Sequence, residues 1–128
     1  MTENIDYREK LPDGCPPADA QEISNVVVVF RLVRSDPPTD EDFKSLRALR
    51  PLQKFGTPEC VALGLSVHKD LKRCEKLASL PKFKGCFVAK LSLGPGAGKI
   101  KQTFSNSHHT WWPRCEYDIT AICEVGGK

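Results

Sequence analysis

GCFVAKLSLGPGAGKIKQT, residues 85–103, decides the class of fold this chain adopts. Alternation in its first half puts Phe87, Ala89, Leu91 and Leu93 on one side, the period of a strand. The glycine-rich turn GPGAG follows at once, and KIKQT then reads as a short edge strand. No helix fits between strands that close together. Neighbouring parallel strands need a crossover of about a dozen residues or more, so this part of the chain predicts an antiparallel or mixed sheet. A doubly wound nucleotide fold is disfavoured, because helices are too few and no phosphate-binding glycine fingerprint follows the first strand.

Upstream, HKDLKRCEKLASLP has the spacing of a helix, with Leu71, Cys74 and Leu77 or Ala78 facing inward and Pro81 ending it. CVALGLSV, Cys60 to Val67, reads as a strand before it. Within SDPPTDEDFKSLRALRP, Thr39 caps a further helix, Asp40, Glu41 and Asp42 suit its positive end, and Pro51 stops it. Phe43, Leu46 and Leu49 share its inner face. VVVVFRLV, Val26 to Val33, is a β-branched run too continuous for a half-wet strand, so it predicts a central strand covered on both sides. YDITAICEV alternates as a last strand. The expected architecture is α+β: a mainly antiparallel or mixed sheet of about five strands with two packed helices. Residues 1–22 are expected to form a polar, proline-containing tail, with one helical turn near Ala18 to Ile23, and residues 23–128 a single domain.

Composition bounds the function classes. Hydrophobic residues at 40% and charged residues at 27% match a globular domain. No apolar run is long enough to cross a bilayer and no apolar signal region opens the chain, so the expectation is a cytoplasmic protein without membrane association. The six cysteines are scattered without close pairs, which predicts reduced thiols, and no cysteine–histidine spacing suits zinc, so no metal is expected. A net charge of +3 allows an anionic ligand but lacks the strong basic asymmetry of a dedicated nucleic-acid binder.

Three stretches carry candidate chemistry, while GPGAGK does not. Three residues rather than four separate Gly94 from Gly98, and Ile100 stands where a phosphate loop needs a hydroxyl. Arg31 lies in an apolar strand, where its five donors need carbonyls, a carboxylate or a ligand's anion. Ser66 and His68 stand where a strand meets a helix whose amino end favours negative charge. In HHTWWP, strand alternation sends Trp111 and Trp112 to opposite sides, so one indole is expected to be exposed as a stacking surface. His108 and His109 beside it are candidate proton carriers near neutral pH. The bland alternatives are an ion-paired Arg31, a Ser66 that only bonds a helix entrance, and tryptophans that plug the core with their N–H groups on backbone carbonyls.

The phrases FRLV, PPTDEDFKSLRA, ALGLSV, LGPGAGKI and SHHTWWP together resemble a family of small bacterial proteins of no assigned function. More distantly, the chain resembles the ADP-ribosyltransferase-like fold, with Arg31 on the early strand, Ser66 at the end of a middle strand and Glu116, or less naturally Glu124, on a late one. That resemblance implies NAD as cofactor, Arg31 and Ser66 holding it, and Glu116 directing transfer or hydrolysis at the ribose bond. The chain departs from the family pattern in having only LSV for the Ser-Thr-Ser run and no paired acidic signature around Glu116. The leading expectation is therefore a nucleotide-binding domain acting on NAD. It has catalytic candidates Glu116, His108 and His109, and ligand-binding candidates Arg31, Ser66, His68, Trp111 and Trp112. The alternatives are a noncatalytic protein-binding module of a conflict or toxin-associated system, anchored by an exposed tryptophan, and single-stranded RNA binding through the same indoles.

Overall fold

A computed structural model describes residues 7–9, 11–35, 38–52, 59–103, 107–115, 117 and 123–125. Seven strands form one sheet: β1 Gln21–Glu22, β2 Val27–Val33, β3 Leu65–His68, β4 Phe87–Leu93, β5 Gly98–Gln102, β6 His108–Pro113 and β7 Cys123–Val125. Their order is β1-β5-β6-β3-β2-β4-β7, and each neighbouring pair is antiparallel. Short helices α1 Leu46–Leu49 and α2 Glu59–Ala62 lie between β2 and β3, and α3 Leu71–Ala78 lies between β3 and β4. The α+β class and the antiparallel sheet agree with the sequence, with two more strands than the five expected.

The connection through GPGAG shapes the sheet. β4 and β5 stand four positions apart, which in a flat sheet is about 19 Å. Yet Ala97 N–H donates to Gly94 O at 3.0 Å, closing a turn whose ends are within about 7 Å. The sheet therefore curls strongly, and the core lies inside the curl. Val29, Leu65, Leu91, Leu93, Ile100 and Trp111 fill it. Tyr117 closes one end: its hydroxyl accepts from Gly94 N–H at 2.9 Å, and its ring meets Trp111 edge-on at 6.5 Å.

β3 and β4 both run antiparallel to β2, so they are parallel to each other, and α3 carries the chain across β2 between them. Asp70 caps α3 by accepting Lys72 N–H at 3.0 Å, and Cys74 is its buried inward residue. The other predicted helix divides. Residues Asp40–Phe43 form one 3-10 turn, and α1 starts afresh after Ser45, whose Oγ accepts Ala48 N–H at 3.1 Å. The break arises because Ser45 is itself held by Glu9, whose carboxylate takes its N–H and hydroxyl at 2.7 and 2.6 Å.

Several expectations need correction. Cys60 to Ala62 are helical rather than extended, since Gly64 N–H and Leu63 N–H bond back to carbonyls of that turn. The helical turn expected near Ala18 to Ile23 is instead β1, paired with Lys99 and Ile100, so β5 is covered on its outer side. β2 is not covered on both sides throughout, as Val28 remains 40% exposed. The N-terminal segment is no free tail: Tyr7, Leu11, Cys15 and Ala20 are buried against Trp112. Cys15 and Cys60 are joined in a disulfide, which overturns the expectation of reduced thiols for this pair. Their 45-residue separation conceals the pairing in the sequence. Among the described residues no helix is long and apolar enough to cross a membrane.

Candidate functional site

β2 and β3 share one residue pair, Phe30 opposite His68, and beyond it they part. The carbonyl of Ser66, which an adjoining strand amide would otherwise meet, accepts from Arg31 Nη1 at 2.7 Å. Arg31 Nε donates to Asp42 O at 3.0 Å. The guanidinium thus fills the split between the strands and bridges them through backbone carbonyls. The turn that presents Asp42 O is organised by its own side chain: Asp42 Oδ1 accepts Arg34 N–H at 2.6 Å and Oδ2 accepts Thr39 N–H at 3.0 Å. Burial lowers Arg31 to about 10, opposed by the Asp42 carboxylate, so the group stays charged at neutral pH. Two of its five N–H groups are used; the other three have no acceptor among the described residues.

A cavity of about 350 Å³ opens at this split, lined by Arg31, Leu32, Ser66, His68, Leu77 and His108 together with the end of α2. A second, of about 460 Å³, continues along α3 past Arg73, Lys76 and Leu80. His68, Leu77 and His108 line both, so the two form one groove. Among the described lining residues every permanently charged side chain is basic: Arg31, Lys44, Arg73 and Lys76. Lys44 also pairs with Glu41 at 3.0 Å, an exposed contact of little energetic weight.

The strand register assembles the imidazoles. β3 and β6 pair with Ser66 opposite Thr110 and His68 opposite His108. His108 Nε2 lies 3.0 Å from Ser66 Oγ, and its Nδ1 lies 3.1 Å from Thr103 O. Burial lowers His108, against a raising effect of the Thr103 carbonyl. Its neighbour His68 meets it edge-on at 5.2 Å and is pushed down to about 4, mainly by burial and then by His108, Arg31 and Arg73. Both rings are neutral at pH 7. His68 Nδ1 is buried without a hydrogen-bond partner among the described residues.

Arg31, Ser66, His68 and His108 therefore converge as candidate site residues. His109, Trp111 and Trp112 do not join them. His109 is buried, its Nδ1–H donating to Ser107 O at 2.9 Å, and alternation turns it away from His108. Neither tryptophan is exposed, contrary to expectation. Trp111 is 0% and Trp112 1% exposed, and their Nε1–H groups donate to Ala97 O at 3.0 Å and Cys60 O at 2.9 Å. Alternation does send them to opposite faces, but the curled sheet covers one and the N-terminal segment covers the other. They are core plugs, and offer neither a stacking platform nor an interface anchor. Glu116 lies outside the described residues. Among the described residues no histidine–cysteine–carboxylate group suited to a metal occurs.

Sequence reading missed Thr103 and Gly64. Thr103 Oγ1 is 2.9 Å from His108 Nδ1 and 2.8 Å from Thr110 Oγ1, a position created only by β5–β6 pairing. Gly64 precedes β3, where a Cβ would collide with Thr110 Cγ2 and crowd Trp112 Nε1. The single detectable signal was a glycine within an otherwise apolar run. Comparison of the chain with family models, curated proteins and solved structures finds no match.

Proposed function

We propose that the groove between β2, β3 and α3 binds a phosphate-bearing nucleotide, with NAD as the ligand of first choice. Arg31 carries the reading. Three of its N–H groups have no protein acceptor among the described residues, and its anchored fork suits bidentate contact with a phosphate or diphosphate. Lys44, Arg73 and Lys76 spread positive charge along the groove, and Leu32 and Leu77 give a base or nicotinamide an apolar wall. NAD is chosen over other nucleotides because Arg31 and Ser66, the two residues that the ADP-ribosyltransferase-like resemblance assigns to NAD, stand in one cavity. On this reading NAD hydrolysis or ADP-ribosyl transfer is the reaction, with Glu116 directing it at the ribose bond. Burial of both indoles removes the support for partner or RNA binding through exposed tryptophans. The cytoplasmic location expected from the sequence is not part of the proposal, since disulfides such as Cys15–Cys60 persist mainly in oxidising compartments.

Calorimetric titration with NAD, ADP-ribose and inorganic pyrophosphate tests the proposal. Saturable NAD binding that Arg31→Lys weakens is expected, together with nicotinamide release that Glu116→Gln abolishes. Absence of binding by all three ligands to folded protein would refute it.

A further inference from the structure

The groove holds a hydroxyl whose contacts go beyond what ligand binding asks of it. Ser66 is exposed, and its Oγ stands 3.0 Å from His108 Nε2. On the other side of the ring, Nδ1 meets the Thr103 carbonyl at 3.1 Å. The Thr103 hydroxyl also lies 2.9 Å from Nδ1. A carbonyl oxygen only accepts, so we assign the proton to Nδ1, with the Thr103 hydroxyl accepting from it and giving its own proton to Thr110 Oγ1, which leaves Nε2 to present its lone pair. The Ser66 hydroxyl is then the donor in the 3.0 Å bond. Nucleophile, base and orienting acceptor lie in the sequence of contacts that activates a serine. Thr103 is itself held by Thr110 from the neighbouring strand, so the ring orientation is fixed by the sheet rather than by a loose loop. Arg31 lines the same cavity with unsatisfied N–H groups, and is available to a developing oxyanion.

We propose that Ser66 is a catalytic nucleophile and His108 its general base, and that the groove carries out acyl transfer from carboxylic esters with an apolar acyl group. Ser66 Oγ attacks the ester carbonyl carbon while its proton passes to Nε2, and Arg31 stabilises the oxyanion. The tetrahedral intermediate collapses, the carbon–oxygen bond to the alcohol breaks, and the Nε2 proton leaves with the alkoxide as the alcohol. Water then attacks the acyl-serine and gives a proton to Nε2. As the carboxylic acid departs, that proton returns to Ser66. Leu32, Leu77 and Phe83 give the acyl group an apolar wall, and the basic rim suits an acid product.

This activity goes beyond nucleotide binding and does not require it. Among the described residues, those around His108 are His68 from β3, Arg31 from β2, Arg73 and Lys76 from α3 and Lys44 ahead of α1, with His109 next to it on β6 pointing to the other face. Burial disfavours the imidazolium most, His109 and the surrounding cations act in the same direction, and the Thr103 carbonyl opposes them. The reaction rate is expected to rise with pH and level off once His108 is neutral, with a midpoint below 6.5.

An alkyl fluorophosphonate applied to the full chain tests the assignment, because Ser66 Oγ–P bond formation expels fluoride and the serine proton leaves through Nε2. Peptide mapping should find Ser66 as the labelled residue. Ser66→Ala should abolish labelling, and His108→Gln should slow it by roughly 100-fold, with partial rescue by imidazole in the buffer. Circular dichroism checks that both variants fold. An unlabelled Ser66 in the wild type would overturn the proposal. So would labelling at an unchanged rate in folded His108→Gln. Binding of NAD by a protein that does not label overturns this assignment alone, and labelling without NAD binding overturns only the nucleotide reading.

Discussion

Arg31 Nη1 donates to Ser66 O at 2.7 Å where β2 and β3 part, so one guanidinium does the work of a missing ladder bond. The same side chain both holds the split together and offers its remaining N–H groups to the groove. Arg31→Ala removes the donor from Ser66 O and Asp42 O, and is expected to lower stability by about 1–3 kcal/mol. Arg31→Lys keeps the charge but lacks the planar fork that reaches both carbonyls. Urea unfolding should therefore place Arg31→Lys between wild type and Arg31→Ala, whereas anion binding should suffer strongly in both. Equal stability of all three proteins would show that the bridge contributes nothing.

Gly64 lets β6 approach the start of β3. A methyl group there meets Thr110 Cγ2 and Trp112 Nε1, both of them in the packed interior. Gly64→Ala is expected to cost about 1–3 kcal/mol as overpacking and to displace Thr110, the residue that supports Thr103. The melting temperature reads the first effect. The second should appear as altered chemical shifts of the His108 ring.

The Cys15–Cys60 disulfide ties the N-terminal segment to α2, whose Val61 and Ala62 line the groove. Closing a loop of this length in the unfolded chain corresponds to about 4 kcal/mol in the loop-entropy model. Reduction, or the Cys15→Ser/Cys60→Ser double variant, is expected to lower stability by a large part of that amount. It should also loosen the cover over Trp112, seen as a red shift of tryptophan emission. An unchanged urea midpoint after verified reduction would contradict this.

His68 makes stability depend on pH. In the unfolded chain it protonates near 6.5, whereas in the folded protein burial holds it down to about 4. Between those values the unfolded state binds more protons, so stability rises with pH. The contribution is complete above about 6.5 and is lost as the pH falls toward 4. His108 is shifted in the same direction by its burial. Urea midpoints measured from pH 4 to 7.5 should rise with pH, and His68→Gln should flatten the rise. An identical slope in the variant would assign it to other groups.

The elements legible in the sequence are those whose partners are local. α3 follows from the spacing of Cys74 and Leu77 and from Pro81 as its stop, and β4 from the alternation of Ala89, Leu91 and Leu93. CVAL before Gly64 satisfies either period, and its place as α2 is fixed by tertiary context, including the Cys15–Cys60 bond. The polar look of the first 20 residues conceals Tyr7, Leu11, Cys15 and Ala20; the first three recur every four residues, but Pro12, Gly14 and Pro16 deny that spacing a helix, so it points to no buried face. The expectation of one exposed indole fails because the cover that this segment forms over Trp112 has no local signal. Arg31 stood out as a charge within an apolar run. Ser66 and His108, 42 residues apart, meet only through β3–β6 pairing, which has no local signature; Thr103 is only five residues from His108, but their contact depends on the β5–β6 register.

Central to the account is that a phosphate-bearing ligand occupies the split at Arg31. The Nε–Hε resonance of Arg31, followed by NMR during titration with NAD, reads this most directly. A saturable shift at that resonance is expected, accompanied by shifts of the His68 and His108 rings, with the same apparent Kd. The indole resonances of Trp111 and Trp112 should move little, since both are sealed in the core. Saturable binding that leaves Arg31 Nε–Hε and both rings unmoved, or no binding at millimolar NAD, would contradict it.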